Sequence, residues 1–180
     1  MKLLKGNKSG LTLIESLAVI GLAALVIAGA LILFGNAQDA RRVTAETTNI
    51  SNVLKRMEEV FGEDPLDTPI TMGEMIIAGV FNSSMKIDEP NAIVYNSWSG
   101  EVTITPTGVS TYDLTYENVP TGEVCVDLIR GTRKIGFDRI SSTGGLDEDV
   151  TGMTISQIIA NCDDAGGTNY VDITWSTDVP

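Results

Sequence analysis

Three features of the sequence predict an α+β fold: one long N-terminal α-helix packed on an antiparallel sheet that forms a head. Leu11 to Phe34 reads LTLIESLAVIGLAALVIAGALILF, 24 residues with a single charge, Glu15, and no proline. From Ala40 to Phe61 apolar residues return every three or four positions, the stripe of a helix that buries one face. From Ala92 onward the period changes to two, as in strands covered on one side.

The apolar run is long enough to cross a membrane. As a helix it would span about 36 Å at about 1.5 Å per residue, against a hydrocarbon core of about 30 Å. Lys2, Lys5 and Lys8 precede it. Basic residues beside a first spanning helix stay in the cytoplasm, so residues 36–180 are expected on the other side. A secretory signal places its small cleavage-site residues after the apolar core. Here the small residue, Gly10, comes before the core, so a cut after it would remove the lysines and keep the helix.

That order, with an acid five residues after the glycine, resembles the type IV pilin signal. The resemblance implies a prepilin peptidase that cuts between Gly10 and Leu11 and N-methylates Leu11. It also assigns Glu15 to filament assembly. Leucine as the first mature residue is similar to the type IVb subclass. The residues themselves agree with a role for Glu15. A carboxylate inside a bilayer costs a few kcal/mol by insertion scales, so it needs a partner or a use. The new amine at Leu11 lies four residues away on the same helix face, and the negative charge suits the positive end of the helix dipole. In a staggered filament the carboxylate could instead meet the amine of a neighbouring subunit, the use that the resemblance implies.

Beyond Gly35 the helical rhythm continues. Ala40, Val43, Thr47, Ile50, Leu54, Met57 and Phe61 form the stripe, with Arg41, Arg42, Glu46, Lys55 and Glu59 off it. Gly62 and Pro65 are read as its stop. Residues 63–92 are expected to be a loop holding a short helix, with Thr71 and Glu74 as a capping box and Met75, Ile76 and Val80 inward. Ala78-Gly79-Val80 is similar to the end of the corresponding short helix in type IVb pilins. Val102 and Ile104, then Tyr112, Leu114 and Tyr116, and then Val124, Val126 and Leu128 around Cys125, are read as strands. Asn96-Ser97-Trp98-Ser99-Gly100 resembles the turn before a type IVb strand, which often carries a second glycine where Ser99 stands. Asn118-Val119-Pro120 is similar to the same family's approach to its first cysteine.

Arg130, Arg133 and Lys134 form a local basic cluster, suited to acidic faces of neighbouring subunits or to a solvated turn. Ser141 to Gly152 reads as a glycine-rich acidic loop. Its Asp147, Asp149, Thr151 and Gly152 imitate the start of a calcium loop, but the twelfth position is Ile158 where a bidentate glutamate is needed. Thr154 caps an expected short helix with Ile155, Ile158 and Ile159 inward, delivering Cys162. Asp163 to Gly167 is read as a turn, and Tyr170 to Trp175 alternates as a last strand.

The chain of 180 residues has two cysteines, Cys125 and Cys162, both in the part expected to be exported, where a disulfide is favoured. Its formal charge of −12 disfavours nucleic acid as a partner. Histidine is absent, which removes the commonest general base and the commonest transition-metal ligand. No phosphate-binding glycine motif, metal-spaced cluster or nucleophile with a base is present, so neither an enzyme nor a cofactor is expected.

The organisation read from the chain is a leader over 1–10, a transmembrane and filament-core helix over 11–35, and an exported head over 36–180. Within the head, 36–61 is the amphipathic half of the long helix. The resemblance implies a structural subunit that leaves the inner membrane for an extracellular homopolymeric pilus serving adhesion, aggregation or conjugative mating. Its partners would be prepilin peptidase, the inner-membrane pilus assembly machinery and the membrane itself. A minor pilin or a type II secretion pseudopilin is the alternative within the family. A membrane-anchored extracytoplasmic binding protein is the alternative of another class.

Overall fold

The structure, a computed structural model, describes residues 12–62, 70–108, 111–163 and 168–177. The chain divides into two compact units, Met1–Asp39 and Ala40–Pro180. Helix α1 is Leu13–Phe61. Pro65 and residues 164–167 of the expected turn lie outside the described residues.

In the second unit α1 buries Glu46, Asn49, Ile50, Val53, Leu54 and Met57, at helical spacing. Val43 and Phe61 pack partly against the same core, while Ala40 is exposed. Glu46 departs from the sequence reading, which put it off the stripe. It is only 1% exposed. The reason is a set of donors that no helical periodicity reveals: the backbone N–H of Ser97 at 2.8 Å, the Ser97 hydroxyl, and Asn49 Nδ2 at 3.1 Å.

Helix α2, Met72–Ile77, has the expected capping box, with Thr71 Oγ1 accepting from Glu74 N and Glu74 accepting from Thr71 N at 2.8 Å. These bonds hold the Glu74 carboxyl below its ordinary range. Met75 and Val80 are fully buried behind it.

Strands β1 (Lys86–Asp88), β2 (Ile93–Tyr95), β3 (Glu101–Pro106), β4 (Tyr112–Pro120), β5 (Arg139–Ser142), β6 (Asp147–Asp149) and β7 (Tyr170–Ser176) form one antiparallel sheet. Their order is β1-β2-β3-β4-β7-β5-β6, so the last strand in the chain enters the middle of the sheet. Cross-strand register sorts the two faces. Ile104, Leu114, Trp175 and Ile140 lie in one row across β3, β4, β7 and β5, all buried. Thr103, Thr115, Thr174 and Ser141 make the neighbouring row on the opposite face. Trp175 is fully buried, 5.5 Å edge-on to Tyr116, and its indole N–H donates to Thr132 Oγ1 at 2.9 Å. This satisfies the polar end of the largest core side chain. The edge strands are three residues each and carry Lys86, Asp88, Asp147 and Asp149, which discourages pairing with another sheet.

Three local readings are corrected. Val124, Val126 and Leu128 are not a strand but part of helix α3, Glu123–Thr132. The alternation was real, but Cys125, Leu128, Ile129 and Thr132 repeat at helical spacing and are the residues buried. Ser141 to Gly152 is not an open loop, because β5 and β6 pair across it and bury Leu146 and Val150. In helix α4, Ile155–Cys162, Thr154 forms a capping box with Gln157, but only Ile158 of the three isoleucines is buried. Ile155 and Ile159 are about half exposed, since Ile158 and Cys162 define the inward face of so short a helix.

The Asn96 turn is built on one side chain. Asn96 Oδ1 accepts from Trp98 N at 2.9 Å and Gly100 N at 3.0 Å, and Nδ2 donates to the Glu117 carbonyl at 2.7 Å. A Cβ at Gly100 would collide with that carbonyl. Ser99 sits at φ 67°, a conformation that costs a non-glycine residue on the order of 1 kcal/mol. Replacing Ser99 with glycine is therefore expected to raise stability by about 0.5–1 kcal/mol, read as a higher denaturation midpoint. A lower midpoint would show that the Ser99 side chain contributes more than its backbone strain.

Candidate functional site

The feature that could act outside the head is the apolar half of α1. Its richest 18-residue window has a mean hydropathy of 2.9 and none of it is buried. Leu13 and Ile14 are 80% and 79% exposed, and Leu17, Ile20, Leu25, Leu31 and Phe34 are likewise open. So large an apolar surface on a described chain marks a membrane or protein contact. A Cβ placed at Gly21 or Gly29 would find open space.

Glu15 stands at the start of this surface. Its carboxylate accepts from Thr12 N and Thr12 Oγ1, each at 3.2 Å, and Thr12 Oγ1 accepts from Glu15 N at 3.3 Å. Thr12 thus caps α1, and Glu15 completes a reciprocal capping box. The sequence held this signal in Thr12-Leu13-Ile14-Glu15, a threonine followed three residues later by glutamate before an apolar run. The carboxylate is held at the positive end of the helix. Gly10 and Leu11, the expected cleavage and methylation positions, lie outside the described residues.

The structure joins Cys125, in the first turn of α3, to Cys162, the last residue of α4, with the two Cα atoms 5.6 Å apart. Gly122 N also donates to the Cys162 carbonyl at 2.7 Å, so the crosslink and a backbone bond hold the same two helix ends together.

The basic cluster is largely engaged within the head. Arg130 pairs with Asp127 at 3.3 Å on its own helix, and Arg133 donates to the Met153 carbonyl at 2.7 Å. Lys134 remains exposed. The imitation calcium loop is also committed elsewhere. Asp147 accepts from Arg139 at 2.5 Å, which holds its carboxyl below the usual range, and Asp149 accepts from Thr151. Among the described residues no group of three or more His, Cys, Asp or Glu side chains could hold a metal ion.

A long helix packed on one antiparallel sheet, with its apolar half bare, defines a type IVb pilin-like protein. The chain belongs to the PilS N-terminal family, whose pattern matches residues 39–176. The fold is similar to that of the type IVb pilin from Salmonella typhi, seen in a crystal structure. The two align with a TM-score of 0.59 and 19% identity, over 73% of this chain and 97% of that one. No curated protein sequence matches the chain. Family and fold are structural rather than enzymatic, and the family implies polymerisation into a pilus.

Proposed function

We propose that this protein is a structural subunit of a type IVb pilus, polymerised through α1. The observation that carries the reading is the exposed apolar half of α1 joined to a pilin head. The chain enters the inner membrane with Lys2, Lys5 and Lys8 on the cytoplasmic side and the head in the periplasm. Prepilin peptidase cuts after Gly10 and N-methylates Leu11, and the assembly machinery then moves the subunit into the growing fibre. There the apolar segment exchanges lipid for the same segment of neighbouring subunits. The heads form the outer surface, serving adhesion, aggregation or conjugative mating.

The test is the mature N-terminus. Mass spectrometry of protein purified from cells with an active prepilin peptidase is expected to find a chain beginning at N-methylated Leu11. A chain that keeps Lys2 to Gly10 in those cells would reject the pilus reading in favour of an uncleaved anchor.

A further inference from the structure

Beside its buried stripe, α1 presents Asn52, Lys55, Arg56 and Glu59 at spacings of three and four, all exposed. Residues 79–83 line the facing side, and the two segments enclose a cavity of about 590 Å³. That volume suits a small organic ligand rather than a lone ion.

The facing wall is fixed by local sequence. Helix α2 ends in a Schellman motif: Gly79, at φ 74°, donates to the Ile76 carbonyl at 3.0 Å, and Val80 donates to the Met75 carbonyl at 3.1 Å. Val80 and Met75 are both fully buried, as expected of the apolar pair that accompanies such an ending. Phe81 is buried next, and Asn82 Nδ2 then donates to Asn49 Oδ1 of α1 at 2.8 Å. Both walls are therefore in place before a ligand arrives, which spares the ordering cost of binding.

The polar groups of the cavity are largely unused. Asn52, Lys55 and Ser83 make no side-chain hydrogen bond or ion pair among the described residues. Arg56 meets Glu59 through one guanidinium nitrogen and one carboxylate oxygen, at 3.1 Å, which leaves the other atoms of both groups open. The lining carries two cations and one anion, a local balance of +1 in a chain of formal charge −12. One carboxylate would neutralise it. Inorganic phosphate would exceed that balance beside Glu59 and leave most of the space unfilled. The Asn52 amide and the Ser83 hydroxyl donate and accept, and the second Glu59 oxygen accepts, which suits the hydroxyls of a sugar ring.

We propose that this cavity binds a sugar residue bearing one carboxylate, a uronic or sialic acid. Lys55 takes the carboxylate in a charge-assisted bond, and Asn52, Ser83 and Glu59 hold ring hydroxyls. The site goes beyond the pilus reading and stands without it, because all of its residues belong to the second unit.

The experiment titrates full-length protein in detergent micelles, with the disulfide intact, and follows backbone amide signals by nuclear magnetic resonance. The probes are the methyl glycosides of glucuronic acid and of N-acetylneuraminic acid, methyl glucoside as the uncharged twin of the first, and inorganic phosphate. At least one acidic glycoside is expected to give saturable shifts at Asn52, Lys55 and Ser83, with an affinity about tenfold or more above those of methyl glucoside and phosphate. Lys55→Met keeps the stem and removes the charge, and is expected to weaken the acidic glycoside about tenfold. Asn52→Leu is expected to weaken it as well, whereas Lys134→Met, at an exposed lysine outside the cavity, should leave it unchanged. The substituted side chains are exposed, so each variant is expected to keep the folded spectrum. Shifts absent from these residues with both acidic glycosides overturn the proposal, as does full affinity in Lys55→Met. Methyl glucoside binding as tightly would remove the carboxylate from the recognition, and phosphate binding as tightly would reduce the cavity to a simple anion site; either result overturns it. None of these outcomes depends on processing or fibre formation, so failure here is distinct from failure of the pilus reading.

Discussion

Cells carrying Glu15→Ala are expected to export the subunit and hold it in the inner membrane, yet to build few or no fibres. Insertion should survive because removing an acid makes the segment more apolar. Within the monomer the loss is local: Thr12 N and Oγ1 lose their acceptor, a capping defect of about 1 kcal/mol. In a fibre core the loss is larger. A terminal amine placed among apolar helices without its carboxylate is a buried cation left unpaired, which costs about 3–5 kcal/mol per subunit. Two further variants separate the cap from the charge. Thr12→Ala removes the capping hydroxyl and keeps the carboxylate, so fibres should form at near-normal levels. Glu15→Gln keeps an acceptor for Thr12 and removes the charge, so fibres should be lost. Normal fibre numbers in Glu15→Ala cells would show that the carboxylate has no recruiting role.

Where the chain repeats a simple period, its fold was legible. Ile50, Leu54 and Met57 are buried as the helical stripe requires, and Leu114, Tyr116, Ile173 and Trp175 face inward as the strand alternation requires. Capping chemistry was legible too, because Thr71 with Glu74 is a contact three residues long. What could not be read depends on distant partners. Glu46 looks like a surface residue until Ser97, 51 positions away, supplies two donors. The segment around Cys125 satisfies both a two-residue and a helical period over so short a length, and α3 wins because its helical face buries Cys125, Leu128 and Ile129 together. At the candidate site the apolar surface and Glu15 were visible. The capping role of Thr12 rests on its three-residue spacing from Glu15, a local signal that the structure turns into reciprocal hydrogen bonds.

Replacing Cys125 or Cys162 with serine is expected to destabilise the head by about 2–5 kcal/mol, a large share of the stability of a domain of this size. The bond closes a loop of 37 residues. In the chain-entropy account, losing such a closure releases about 4 kcal/mol of disorder into the unfolded chain. The native state loses packing as well, because both sulfurs lie in sites with 0% exposure where a serine hydroxyl would need a partner. Between the two cysteines lie the rest of α3, the β5–β6 hairpin and most of α4, and β5 pairs directly with β7 in the middle of the sheet. Loosening the loop therefore reaches the row containing Trp175. The expected readouts are a lower denaturation midpoint for the purified head-bearing protein and reduced abundance in cells. The double variant Cys125→Ser/Cys162→Ser should be no less destabilised than either single variant, since one bond is lost in all three. A midpoint unchanged from the parent in all three would mean that the surrounding contacts, including the Gly122 to Cys162 backbone bond, hold α3 and α4 together without the crosslink.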